Sequence, residues 1–158
     1  MLLERVLHQT LFGGLAAAGF GVLFNISPRT LSWCFIVGGL ALAVRTLGLH
    51  LGWSLEAASF AAALAVGTLV QILQDRIGVS RNTLDVVGCI PMVPGGFAAK
   101  AILGLFALTA QNPKSADQTL ILSVENALRV MFTIGALGTG LSIPTLLAGV
   151  RKSPNSAR

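Results

Sequence analysis

Long apolar runs separated by short polar interruptions organise this chain. The first covers Val6 to Ile26, the second about Thr30 to Leu49, the third Trp53 to Leu73, and the fourth about Leu84 to Ala110. A fifth occupies about 119–150, and its stretch from Val130 to Val150 carries no charge at all. A helix rises about 1.5 Å per residue, so some twenty residues cross a hydrocarbon core of about 30 Å. Each run is long enough to do so. The pattern predicts an all-α polytopic membrane protein with about five transmembrane helices. Residues 1–150 form one transmembrane helical domain (spans near 6–26, 30–49, 53–73, 84–110 and 119–150), and 151–158 form a polar tail.

The punctuation agrees with these limits. Asn25-Ile26-Ser27-Pro28 is a helix-stop and turn signal. Glu56 falls in the first turn of the third helix, where the helix dipole favours an acid. Gln74-Asp75-Arg76 and Arg81-Asn82-Thr83 form a polar connection, Gln111-Asn112-Pro113-Lys114 closes the fourth run, and Ser115 to Gln118 has capping-box spacing.

Composition turns the pattern into a statement about solvent. Apolar residues make up 54% of the chain and charged residues 11%, with a mean hydropathy of +0.79. A soluble domain devotes about a quarter of its residues to charge. A soluble fold of this sequence would expose large apolar patches, so lipid is the expected outer solvent. The formal charge of +5 does not point to nucleic acid. Most of the eleven Lys and Arg lie near run ends, as interfacial anchors do, and Arg45 reads as one of these. Cys34 and Cys89 each lie inside an apolar run, and His8 and His50 stand alone near helix ends, so neither a disulfide framework nor a metal site is expected. No cofactor is implied. Glu4 and Arg5 cancel, and the run from Leu11 continues past Ala16-Ala17-Ala18 to Phe24, which argues against a cleaved signal peptide.

With five spans, Arg29, Arg76, Arg81, Arg151, Lys152 and Arg158 share one side, and Arg5 and Lys114 the other, with Arg45 if it lies at its helix end. Positive charge favours the cytoplasm, which predicts the N-terminus outside and the C-terminus inside. Small residues recur every fourth position at Gly13, Ala17, Gly21 and at Ala57, Ala61, Ala65. Such seams let helix backbones approach, either within the chain or at a subunit interface. Gly135, Gly138, Gly140 and Pro144 make the fifth helix pliable.

Candidate chemistry centres on Pro91-Met92-Val93-Pro94-Gly95-Gly96. Two prolines three apart remove main-chain donors and clash with the preceding turns, so the fourth helix is expected to break. A second half-helix starting near Gly96 presents unpaired amides and the positive end of a dipole, which suits a substrate carboxylate. Lys100 lies one turn further on the same face. A lysine at membrane depth costs about 2.5–3.5 kcal/mol and usually has a reason: it binds a carboxylate with the half-helix amides, or it snorkels or pairs with Glu from a merely kinked helix. Pro91, Pro94, Gly95, Gly96 and Lys100 are therefore candidate substrate-binding residues, with Asn25 added as an amide that either ends the first helix or lines a cavity mouth. Glu125, Asn126 and Arg129 are either a polar path inside the bundle or a surface group at the headgroups, and Glu125 with Arg129 has the favourable acid-first spacing of a helical pair. Glu56 is either a proton-coupling carboxylate or a helix-start acid. No HExxH, GxSxG or Gly-rich phosphate loop occurs, so an enzyme is not expected.

Phe24-Asn25-Ile26-Ser27-Pro28, Ile90-Pro91-Met92-Val93-Pro94-Gly95 and Gly138-Thr139-Gly140-Leu141-Ser142-Ile143-Pro144 occur in that order. Together they resemble the threonine/serine exporter family (ThrE-like), in particular its small YjjB-type membrane subunit, over nearly the whole chain. The resemblance implies a bacterial inner-membrane exporter of threonine and serine or, in some members, of dicarboxylates such as succinate. It also implies a partner, a larger YjjP-type ThrE-like membrane subunit, so that this chain would be one half of an inverted-repeat transporter. A different class of reading is a non-transporting structural subunit that stabilises a partner membrane protein.

Overall fold

The computed structural model describes residues 2–77, 81–109 and 113–152, with side chains over 2–74, 83–109 and 116–148. Helices are the regular structure among the described residues: α1 (Leu2–Leu23), α2 (Pro28–His50), α3 (Leu55–Ile77), α4 (Arg81–Cys89) continued by a 3-10 turn (Ile90–Met92), α5 (Gly95–Leu108) and α6 (Pro113–Lys152). α1, α2, α3 and α6 are long and apolar enough to cross a bilayer, and α4 with α5 makes a fifth span when the broken pair counts as one. Large apolar side chains such as Leu3, Leu7, Leu11, Phe106 and Met131 face outward. The chain is an all-α, multi-pass membrane protein, as its hydropathy pattern predicts. The connections at 78–80 and 110–112, the tail from 153, and the side chains of Arg76, Arg81, Lys114, Ser115, Arg151 and Lys152 lie outside the described residues.

Helix ends follow local chemistry. Asn25 takes φ 55, a left-handed conformation that asparagine tolerates, and Pro28 opens α2 at a position where no amide is needed. At the far end of α2, Gly52 (φ 83) donates to Leu49 O at 3.2 Å and Trp53 donates to Gly48 O at 3.0 Å. This paired closure requires glycine at the left-handed position. Ser54 Oγ then accepts the Ala57 amide at 3.1 Å and caps α3, which places the helix start just after Trp53.

The chain divides into two compact units, residues 1–92 with 136–158, and residues 93–135. In the first, the α1 seam packs within the chain. A Cβ at Gly13 would come within 2.9 Å of Gly38 O, and one at Gly38 would run into Ala17 Cβ. The α3 seam that packs is offset by one residue from the predicted one: Ala58, Ala62, Val66 and Val70 are buried. Ala57 and Ala61 line a groove with Phe60, Ala136 and Thr139 instead. Val37, Val66, Leu84, Val87 and Met92 form the centre of the core, and Gly88 lets α4 approach Val37 and Val66. Gly140 lies against Phe60 O, where a Cβ would sit at 2.8 Å, and Pro144 packs on Gly67 without ending α6. The second unit is α5 with the first part of α6, which approach closely because Gly104 faces Ser123.

Candidate functional site around the broken helix

In an uninterrupted helix the Met92 carbonyl would accept the Gly96 amide. Here the chain leaves the helical path at Val93, and Pro94 (φ −80, ψ 60) precedes α5. The Gly95 amide turns back to Val93 O at 2.8 Å, and the amides of Phe97 and Ala98 share Pro94 O at 3.1 Å. Among the described residues the Gly96 amide has no protein acceptor. The Met92 carbonyl is taken by a side chain: Arg45 Nη1 donates to it at 2.7 Å. An arginine of α2 thus replaces the main-chain donor that the break removed. Arg45 is half-buried and lies one turn inside the end of α2, so it is not a simple headgroup anchor.

Arg45 also lines a cavity of about 970 Å³ between the start of α1 and the end of α2. Glu4, Arg5, His8 and Gln9 face it from α1, Thr46 and His50 from α2, and Pro91 from the break. The lining is rich in hydrogen-bonding and charged groups, which is unusual inside so apolar a chain.

In the second unit the structure brings together two clusters that are far apart in sequence. Lys100 Nζ lies 5.9 Å from the centre of the Phe97 ring, and Arg129 Cζ lies 5.7 Å from it. Cations at this range are attracted to the ring face. Arg129 also pairs with Glu125 at 3.1 Å along α6, with both side chains about half exposed. Gly95 and Gly96 face open space at the start of α5. The result is a cationic rim on one aromatic ring near the amides that open α5. Asn126 turns its amide to Leu122 O at 2.7 Å, back onto its own helix. Asn25 sits at the α1–α2 turn, sixteen residues beyond Gln9, or about 24 Å along the helix axis. A role for Asn25 in ligand contact would therefore lie away from the break.

One buried acid escaped the sequence reading. Asp85, on α4 two turns before the break, is only 7% exposed and sits beside the buried Leu84 and Val87. Its neighbours Arg81, Asn82 and Thr83 make that stretch look like a polar loop, yet α4 already begins at Arg81. An ionisable group at such a depth marks a functional site by default.

The profile of the family described as threonine/serine exporter, ThrE, matches residues 9–147. The chain belongs to this exporter family. The match contains all three motifs that carry the resemblance, including both prolines of the break. An uncharacterized protein of Haemophilus influenzae is 30% identical over 143 residues, which cover 90% of this chain and 48% of that relative. The chain therefore spans about half the length of this curated relative. No solved structure matches it.

Proposed function

We propose that this member of the threonine/serine exporter family is the small subunit of a two-component exporter of carboxylate-bearing metabolites, with threonine and serine as its solutes. One observation carries the reading: the fourth span is interrupted at Val93-Pro94, with its first half held by Arg45 and the amide of Gly96 left open. Interrupted helices of this kind build solute sites in transporters, because unpaired main-chain groups are tolerated in lipid only where they meet protein, water or a ligand. Pro91, Pro94, Gly95, Gly96 and Lys100 shape the site on this reading. Arg129 is added by its place on the Phe97 ring.

The match to about half of a longer relative supports a two-part architecture, with a larger YjjP-type subunit supplying the other half. An odd number of spans suits a partner of similar fold inserted the other way. The proposed setting is the bacterial inner membrane, N-terminus outside. Export of a dicarboxylate such as succinate is a second reading, favoured by the two arginines, Arg5 and Arg45, that line one cavity.

The test is efflux of labelled threonine, serine and succinate from cells expressing both subunits. Replacing Pro94 and Gly95 together by alanine is expected to abolish efflux while leaving the membrane-inserted amount unchanged. Undiminished efflux from that variant removes the break from the site.

A further inference from the structure

We infer that Arg45 is the residue that recognises the carboxylate of the exported solute, and that binding it releases the Met92 carbonyl. The inference deepens the exporter reading and rests on it for the identity of the solute. It rests on the geometry of the cavity for the chemistry.

A guanidinium carries five N–H donors in a planar fork and is never neutral in a protein. Arg45 spends one of them on an uncharged carbonyl at 2.7 Å. Among the described residues no carboxylate pairs with it, although it sits inside an apolar helix where a lone cation is costly. Arg45 also lines a cavity of about 970 Å³, ample for a small metabolite and its water. A carboxylate matches that fork with two parallel hydrogen bonds, which are stronger than one bond to a neutral oxygen. An arriving carboxylate therefore competes directly with Met92 for Arg45. If Arg45 turns to the solute, the end of the first half-helix loses its tether. Solute capture and loosening of the break become one event.

The same cavity holds Glu4. Its carboxylate suits the ammonium of an amino acid and opposes a second carboxylate, so Glu4 would discriminate threonine and serine from succinate.

The test uses both subunits in proteoliposomes, with Cys34 and Cys89 replaced by serine and one reporter introduced by Thr46→Cys on the cavity wall. Millimolar threonine, serine or succinate is expected to slow labelling of the reporter by a charged thiol reagent, while threonine amide, which lacks the carboxylate, is not. Arg45→Gln should abolish protection. Arg45→Lys, which keeps the charge but loses the fork, should weaken it and raise the KM of efflux about tenfold, the loss of one charged hydrogen bond. Glu4→Gln should weaken protection by threonine and strengthen that by succinate; equal weakening of both overturns the role given to Glu4. Protection that survives Arg45→Gln, or that is absent with Arg45 in place, overturns the inference. Protection without efflux of any of the three solutes supports Arg45 while sinking the exporter reading. A lower maximal rate with an unchanged KM in Arg45→Lys would assign Arg45 to holding the helix alone, against the inference.

Discussion

Removing both prolines of the break should straighten the fourth span, and the size of the effect follows from the main-chain bonds involved. Each proline costs a continuous helix about 3 kcal/mol, through the missing N–H and the clash of its ring with the carbonyl four residues back. Those carbonyls belong to Val87 for Pro91 and Ile90 for Pro94. Together the prolines set the straight form back by about 6 kcal/mol, beyond thermal reach. With alanine at both positions that cost vanishes, and three bonds can close: position 91 to Val87, position 94 to Ile90, and Gly96 to Met92. Each is worth about 1–3 kcal/mol where the alternative is an unsatisfied group out of water. Against them stands the Arg45 bond to Met92, about 1.5–3 kcal/mol for a charged donor. The straight helix is favoured by the double variant, whereas Pro94→Ala alone brings the two forms near balance. Adding Arg45→Gln to Pro94→Ala should then tip it straight. Spin labels at Val86 and Leu103, both exposed, report the outcome in lipid nanodiscs. A continuous helix separates these positions by about 25 Å. A narrow population at that distance is expected in the double variant and not in the parent chain. Identical distance distributions in the two would refute the reasoning.

Two further outcomes follow from the packing and from the buried acid. Gly38→Ala pushes a methyl group into Ala17 and toward Gly13 O at 2.7 Å, and should cost about 1–3 kcal/mol, read as a lower unfolding temperature in detergent. Gly19→Ala, on the same helix pair but facing open space, should match or exceed the parent, and equal losses in both would contradict the assigned α1–α2 seam. Asp85→Asn removes the charge of a buried group with almost no change of shape, so export should fall to background. Unchanged export would make Asp85 structural.

The fold is legible in the sequence wherever the determinant is local. Apolar runs of bilayer length fix the spans, Asn25 to Pro28 fixes the first turn, and Pro91 with Pro94 fixes the break. What escapes is what depends on a second helix. Arg45 near the end of an apolar run looks like any snorkelling anchor, and only its bond to Met92, 47 residues away in sequence, distinguishes it. Lys100 and Arg129 meet on Phe97 because Gly104 and Ser123 let α5 and α6 cross closely, a contact that neither segment signals alone. On α3 the face of Ala57, Ala61 and Ala65 is not the one that packs within the chain, for a related reason. Alanines occupy so many consecutive positions of α3 that the spacing rule fits several faces, and the burial of Val66 and Val70 decides among them.

The two main-chain groups set free by the break meet different fates, and the difference bears on mechanism. A carbonyl left bare in lipid must find a donor, and the Met92 oxygen has one in Arg45. The Gly96 amide is a donor left open, and the charged side chains closest to it in sequence and on the Phe97 ring are Lys100 and Arg129. A cation gains little from such surroundings, because the amide presents its hydrogen, Lys100 is positive and Glu125 is already paired with Arg129. An anion gains a hydrogen bond from the amide and attraction from both side chains. The open amide thus favours a negatively charged group, as Arg45 does in its own cavity. Had a carboxylate side chain capped Gly96 and left Met92 bare, the same break would select a cation.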